Sequence, residues 1–465
     1  MNDSADIHDV VVVGAGLAGN AAALSAAEAG ATVCLLEKGE AYGGTSVKAG
    51  GGLVFAGTDL QREAGVEDDD EALRTAILAA GRGASDPETV AAYVDHQLDT
   101  YTWMTARGVE FDYSADLQPG QLNRLHGTAP GSATATLHRH NLEHPGVTYR
   151  THVTTERLLT GGSGTVVGVT TTDGEEVRAR RGVVLASGGF TRSDELLATF
   201  APQWLSTTRL GGADNTGDGL RMAWALGAGL ADMAYVEASF GACVPAFPDL
   251  ADVPGREPTL LYANAQGAVI VNREARRFVD ESLNYKQISV SCVRQTDGLA
   301  FQVFDARIME RSQPNPSPSD YKQALADGLL LEAPTIAGLA GLMGVDPDTL
   351  ETTVATYNGH VDAGHDPDFG RPIVDRGGPG AGRIDAGPFY AFPCRCGLTT
   401  TYCGVTVDRS LRVLDVYGEP IAGLYAAGEV VGGLHGATYY SGTGLGKAAV
   451  FGRGAGLSVA SGAVG

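Results

Sequence analysis

An α/β fold interrupted by a long α+β insertion is predicted by three stretches of this 465-residue sequence. Residues 10–39, VVVVGAGLAGNAAALSAAEAGATVCLLEKG, set a β-branched run, a glycine turn, an alanine-rich helix and a second apolar strand in the order of a βαβ unit. Residues 423–446, GLYAAGEVVGGLHGATYYSGTGLG, bring another apolar strand, a long glycine-rich stretch and the start of a helix. Between about 241 and 399 the chain changes character and gains prolines at 245, 248, 254, 258, 314, 316, 318, 334 and 347. The organisation expected is one nucleotide-binding domain over 1–240 and 400–465, with a second domain inserted over 241–399. No internal repeat is visible.

Taken in order, the first unit is a dinucleotide fingerprint in its required context. Gly14 permits the tight turn, Gly16 lets the backbone approach a pyrophosphate at the helix N-terminus, and Gly19 lets helix pack on strand. Glu37 falls where a carboxylate accepts from a ribose hydroxyl, so the cofactor contains ADP. A second glycine-dense loop follows at 43–52, GGTSVKAGGG. Residues 70–112 read as helices, the first opening on an acidic turn that suits the helix dipole. Residues 147–185 alternate β-branched and polar residues around Asp173-Gly174, a hairpin signal, and 183–190, VVLASGGF, end a strand in small residues. Residues 212–232 read as helical. A distant C-terminal clasp with Glu429 at its strand end suits a long cofactor held at both ends, which favours FAD over NAD.

These segments, with GADNTGDGLRMAWALGAGLADM at 212–233 and RRFVDES at 276–282, resemble the fumarate reductase and succinate dehydrogenase flavoprotein family, including its 3-ketosteroid dehydrogenase branch. The likeness extends along nearly the whole chain. It implies a Rossmann-like FAD-binding domain with an inserted catalytic or capping domain over 241–399. By resemblance the cofactor contacts fall on Gly14, Gly16, Leu17, Ala18 and Gly19; on Glu37 and Lys38; on Gly43, Gly44, Thr45, Ser46, Gly51 and Gly52; on Val153; on Ala186, Ser187 and Gly188; and on Asp218, Gly428, Glu429, Gly444 and Leu445. Glu429 would meet the flavin ribitol, and the helix after Ser441 would face the isoalloxazine. Thr45 stands where the membrane-bound succinate dehydrogenases carry flavin on a histidine, so the FAD is expected to be noncovalent.

The composition narrows the partners. A net charge of −22 and a pI near 4.8 leave no basic stripe to displace phosphate counterions, which excludes nucleic acid and anionic membrane surfaces. Residues 1–9 are polar and no apolar run of about 20 residues exists, so neither a signal peptide nor a membrane span is expected and the cytoplasm is the default. Cysteines 34, 243, 292, 394, 396 and 403 have no disulfide-scaffold spacing. The Cys394/Cys396 pair lacks further zinc ligands and reads as packing; His138, His140 and His144 lie in a polar, loop-like stretch and read as no metal site.

Substrate class follows from what the family's cationic anchors have become. Fumarate reductases hold a dicarboxylate with cations, since buried carboxylates need paired charge. At the matching positions this chain has Tyr285 after RFVDE, Tyr439 in GATY, Ser239, and Thr399 or Thr400. A dianion would lose hydration there without compensation, so a neutral substrate is favoured. RRFVDESLNY resembles the ketosteroid dehydrogenase segment whose tyrosine, four residues past the acid, abstracts a proton, and ATYYSGTGLG closely resembles that of the 3-ketosteroid 4-ene (5α) dehydrogenases. His435 departs from them toward the reductases.

The mechanism this implies has Tyr439, with Ser441 and backbone N–H groups around Gly442, Thr443 and Gly444, polarising a cyclic ketone while Tyr285 removes the adjacent proton and hydride passes to flavin N5. A free phenol titrates near pH 10, so a cation such as Lys286 or Arg294, or a relay to solvent, must assist Tyr285. Ser239, His435, Gly442 and Thr443 are candidate substrate contacts, and His126 is a weaker one. Reoxidation falls to an external acceptor. Two other readings stand beside this one: a reductase running the same chemistry backwards on an enone or acrylate-type acid, and an FAD-binding subunit without turnover.

Overall fold

The computed structural model describes residues 6–113, 123–250, 258–314, 318–373 and 382–462; Pro254 and Pro316 lie outside them. The chain divides into two compact units, one of Met1–Ala201, Gly211–Val236 and Thr400–Gly465, the other of Pro202–Leu210 and Glu237–Thr399.

In the first unit, strand Asp6–Val13 lies between parallel strands Val33–Leu36 and Glu176–Leu185, with Val13 opposite both Leu36 and Leu185. Val147–Arg150 extends the sheet beside Val33–Leu36, and Pro420–Ala426 runs parallel to Glu176–Leu185, so the C-terminal segment completes the sheet that the N-terminus begins. Parallel strands covered on both faces need continuous apolar runs, and Val10, Val11 and Val12 have no exposed surface. Helix Leu17–Glu28 is buried along nearly its whole length, which explains its alanines. The C-terminal helix Thr443–Ser461 packs against it through glycines: a Cβ at Gly452 would fall 2.4 Å from the Ala18 carbonyl oxygen, and one at Gly456 2.3 Å from that of Ala22.

The hairpin at Asp173-Gly174 forms between Val166–Thr171 and Glu176–Leu185, with Gly174 at φ +86°. Two expectations need correction. The helix read over 212–232 is confined to Asp218–Trp224, because Gly217 and Gly227 adopt positive φ at either side of it. The polar stretch holding His138 and His140 is a helix, Ser132–Glu143, with His144 as its C-cap residue: Ala133, Thr134, Leu137, His138 and Asn141 recur at helical spacing on one buried face. His138 stacks on Tyr42 at 3.9 Å and bonds Asn20, so it is a packing residue.

The second unit is built on strand Phe389–Thr401, antiparallel to Ala300–Asp305 and Leu331–Ala333, with Val269–Asn272 beyond Ala300–Asp305. Cys394 and Cys396 lie buried in that central strand. Burial pushes the Cys394 thiol well above its ordinary range, and hydrogen bonding with Cys292 together with burial does the same at Cys396, as suits inert packing residues.

Candidate active site

The turn after the first strand is shaped by close approaches. Gly14 has φ +99° and a Cβ there would meet the Ala186 carbonyl oxygen at 2.5 Å; a Cβ on Gly19 would fall 1.8 Å from the Gly14 oxygen. Gly16 differs, since the nearest atoms to an added Cβ are Ser46 Oγ at 3.5 Å and the Gly43 oxygen at 3.7 Å. No backbone clash fixes a glycine here, and the helix N-terminus beside it is the kind of position that takes a pyrophosphate. Glu37, 9% exposed, accepts from Ala15 N (2.9 Å) and Gly39 N (2.8 Å), so it ties the turn to the end of the second strand, and each oxygen keeps a lone pair for a hydroxyl. Ser46 Oγ accepts from Leu17 N at 3.1 Å, and Val153 N donates to the Glu37 carbonyl. Thr45 Oγ1 accepts from Gly212 N at 3.0 Å, while Lys38 bonds Asp218 and Thr216, both at 2.6 Å.

The C-terminal segment closes on the same unit. Glu429 Oε1 accepts from Thr401 N (2.8 Å) and Oε2 from Asn215 Nδ2 (2.9 Å), joining three distant stretches of sequence. Gly428 turns at φ +76° against Ala18. Ser187 Oγ is buried without a hydrogen-bond partner among the described residues, and Gly44 and Gly444 have nothing within 4 Å of an added Cβ. This open, glycine-lined cradle with an orphaned hydroxyl fits an extended dinucleotide.

Residues 430–442 form a strap before the C-terminal helix. Gly442 is its N-cap at φ +94°, and Gly444 and Leu445 lie in the first turn, where backbone N–H groups lack intrahelical acceptors. His435 is 4% exposed with Nδ1 3.3 Å from Thr443 Oγ1, and Thr443 Oγ1 also donates to the Tyr440 carbonyl at 2.6 Å. Tyr439 meets His435 edge to face at 5.7 Å and lies 5.5 Å from the ring of Tyr402. Ser441 is exposed at the end of the strap.

The FAD-binding domain family model matches residues 9–445. The chain belongs to this family. It is 32% identical to a fumarate reductase (cytochrome) of Shewanella frigidimarina over 98% of this chain and 77% of that protein. It is 30% identical to a 4-oxocyclohexanecarboxylate 2-dehydrogenase of Sinomonas cyclohexanicum, over 98% and 94% respectively. Among solved structures, the open conformation of a flavocytochrome c3 fumarate reductase superposes with a TM-score of 0.85 at 29% identity, covering all of this chain and 80% of that one. The 3-ketosteroid-Δ4-(5α)-dehydrogenase of Rhodococcus jostii RHA1 superposes with a TM-score of 0.72 at 27% identity, over 99% and 98%. The protein is thus an FAD-dependent oxidoreductase of the fumarate reductase family with the FAD-binding α/β fold expected, and the reading as a subunit without turnover falls. No described helix is long and apolar enough to cross a membrane.

In the second unit of this flavoprotein, Tyr285 opens helix Tyr285–Cys292, capped by the Asn284 side chain, which accepts from Lys286 N and Gln287 N. Its ring stacks on Tyr262 at 5.6 Å, and Lys286 Nζ lies 5.9 Å from its centroid, the cation position the sequence suggests. The acid four residues earlier, Glu281, is fully buried and holds Arg277 by two bonds of 2.8 and 2.7 Å, with Arg371 at 3.3 Å and Ile270 N at 3.2 Å. That acid is a structural anchor for the turn presenting Tyr285. Ser239 is a buried residue of strand Val236–Cys243.

In the first unit His126 is fully buried, with Nε2 2.8 Å from Thr58 Oγ1 and Nδ1 3.0 Å from the Arg124 carbonyl oxygen, and burial pushes its imidazole below the ordinary range. Both ring nitrogens are thus engaged within the unit. Three residues near the strap escape sequence reasoning. Arg124, 6% exposed, makes a two-point pair with the fully buried Asp68 side chain at 2.7 and 2.6 Å, and Tyr440 also favours its charged form. Burial opposes its charge, yet the Asp68 pair outweighs burial and raises the guanidinium above its usual value. Tyr402 was marked by nothing but an aromatic beside a glycine strand. Lys447, 1% exposed, donates to the Val431 carbonyl at 2.7 Å, and burial pushes its ammonium down to about 8.

Proposed function

We propose that this flavoprotein is a dehydrogenase that introduces a C=C bond next to the carbonyl of a neutral cyclic ketone, a 3-ketosteroid or a smaller alicyclic ketone. Bound FAD, held noncovalently, supplies the hydride acceptor. Tyr439 donates to the ketone oxygen and so acidifies the adjacent C–H, with Ser441 and the N–H groups of Gly444 and Leu445 in the first turn of the C-terminal helix as further donors, since Thr443 N is taken by the Tyr440 carbonyl. Tyr285, ionised before the step with Lys286 beside its ring to stabilise the phenolate, takes the α-proton and becomes the neutral phenol. His435 and Thr443 hold the strap that presents Tyr439. Ser239 and Gly442 are proposed substrate contacts. The organisation proposed is an FAD-binding domain over 1–240 and 400–465 with a catalytic domain over 241–399, working in the cytoplasm with an external electron acceptor.

The observation that carries this reading is the strap's chemistry: Tyr439 presents a phenol, and the cation that interacts electrostatically with its neighbour Tyr440 is already neutralised by Asp68. A dicarboxylate would find no open counter-charge at Arg124. The name of the Sinomonas relative describes 2-dehydrogenation of a ring ketone that also carries a carboxylate, so it supports the bond type and not the neutrality of the substrate. Noncovalent attachment is supported by Thr45, whose hydroxyl is engaged with Gly212 N. A second reading, reduction of an activated alkene, draws support from the relatives named as reductases of fumarate, urocanate, vinyl phenol and digoxin.

The test is anaerobic mixing of the yellow protein with saturated 3-ketosteroids, cyclohexanone-type ketones and succinate while the flavin spectrum is recorded. Bleaching by a ketone and not by succinate is expected; the opposite pattern refutes the proposal. Tyr285→Phe is expected to keep FAD and lose roughly 10²–10⁴-fold in bleaching rate. An unchanged rate removes Tyr285 from the reaction.

A further inference from the structure

Tyr402 is 2% exposed, and its hydroxyl has no hydrogen-bond partner among the described residues. Its ring packs 5.1 Å from the His435 imidazole and 5.5 Å from the Tyr439 ring. At its base the residue is fixed, since Tyr402 N donates to the Tyr235 carbonyl at 3.2 Å and adjacent Thr401 grips Glu429 through its N–H and hydroxyl at 2.8 and 3.2 Å. A phenylalanine would fill the same volume without stranding an oxygen away from water. A buried hydroxyl left unbonded is unfavourable, and its persistence calls for a bond made in some other state of the molecule. Among the rings packed on Tyr402, His435 and Tyr439 both carry hydrogen-bonding atoms, and both belong to the strap assigned to the ketone.

We propose that Tyr402 is a positioning residue for Tyr439: its hydroxyl bonds the His435–Tyr439 pair when Tyr439 is loaded with the ketone oxygen, and is left unbonded at rest. The inference rests on the cyclic-ketone reading. No proton moves in this step. The hydroxyl donates to the strap atom whose electron density rises as negative charge develops on the ketone oxygen, and an interaction present only then accelerates the reaction without tightening substrate binding.

Tyr402→Phe in the FAD-loaded protein removes only the oxygen, and it is compared with wild type in two readouts. The expected results are a thermal midpoint without substrate at or above that of wild type, and ketone-driven bleaching at least tenfold slower at saturation with KM unchanged. A lower resting midpoint shows that the hydroxyl is bonded at rest and overturns the inference. A bleaching rate within twofold of wild type on a ketone that wild type uses overturns it as well, and leaves the cyclic-ketone reading standing. Failure of that reading looks different: wild type itself is bleached by no ketone, and both fall together. Tyr402→Leu, which deletes the ring too, is expected to lower the midpoint and so separates the packing of the ring from the work of the oxygen.

Discussion

Asp68→Ala tests whether the cation beside the strap is closed by its partner. The Asp68 side chain is fully buried and Arg124 is 6% exposed, and they meet at 2.6 and 2.7 Å with Gln61 Nε2 as a third contact at 3.1 Å. Removing one partner of a buried pair leaves an uncompensated charge, which costs about 3–5 kcal/mol. The vacated volume accepts a small carboxylate. Formate at a hundredfold excess over its dissociation constant would restore about 2.7 kcal/mol by mass action. The assay is urea unfolding followed by intrinsic fluorescence, with sodium formate compared to sodium chloride at equal ionic strength. The expected outcome is a large loss in chloride and recovery of half or more in formate. A loss below about 1 kcal/mol, as for an exposed pair, or equal recovery in both salts, refutes the claim that Arg124 is held and neutralised by Asp68.

Gly19→Ala places a Cβ 1.8 Å from the Gly14 carbonyl oxygen, a backbone atom that cannot swing away, so the purified variant is expected to lose most of its FAD, read as the ratio of flavin to protein absorbance. Lys447 gives a prediction in pH. Its ammonium, held at about 8 in the fold against an ordinary value of 10.5, makes the unfolded chain bind more protons between those limits, so stability should rise from pH 8 to 10.5, while below pH 8 a burial penalty on the order of 3 kcal/mol stands in full. Lys447→Met is expected to flatten that rise in unfolding midpoints measured from pH 7 to 10.5, and a variant that keeps the rise would assign it to another group.

The nucleotide half of the fold was legible because its signals are local. Gly14, Gly16, Gly19 and Glu37 lie within 24 consecutive residues, and each answers a backbone requirement that only a few residue types meet. Helix boundaries were less legible where composition and tertiary burial disagreed. The stretch around His138 looks polar, yet its Ala133, Leu137 and Asn141 are buried on one face, and packing against Asn20 decides the matter. Over 212–232 the apolar content suggested a long helix, and glycines at positive φ cut it to seven residues.

The site was legible only as far as a motif fixes a position. Tyr285 and Tyr439 could be named because each follows a recognisable segment, whereas the pairing of Arg124 with Asp68 joins residues 56 apart through no local pattern. This bears on how substrate charge is inferred. Replacement of cationic anchors by Tyr285, Tyr439, Ser239 and Thr399 or Thr400 argues for a neutral substrate only if no other cation has taken their place. In the first unit Arg124 does stand next to the strap, and its two-point bond to a fully buried carboxylate removes it as a counter-ion. Lys447, behind the same strap, is turned to the Val431 carbonyl and lies in the fields of Glu429 and Asp232. The neutrality proposed at Tyr439 then rests on pairing as much as on substitution, and a single change at Asp68 should move this strap toward anion binding without touching either tyrosine.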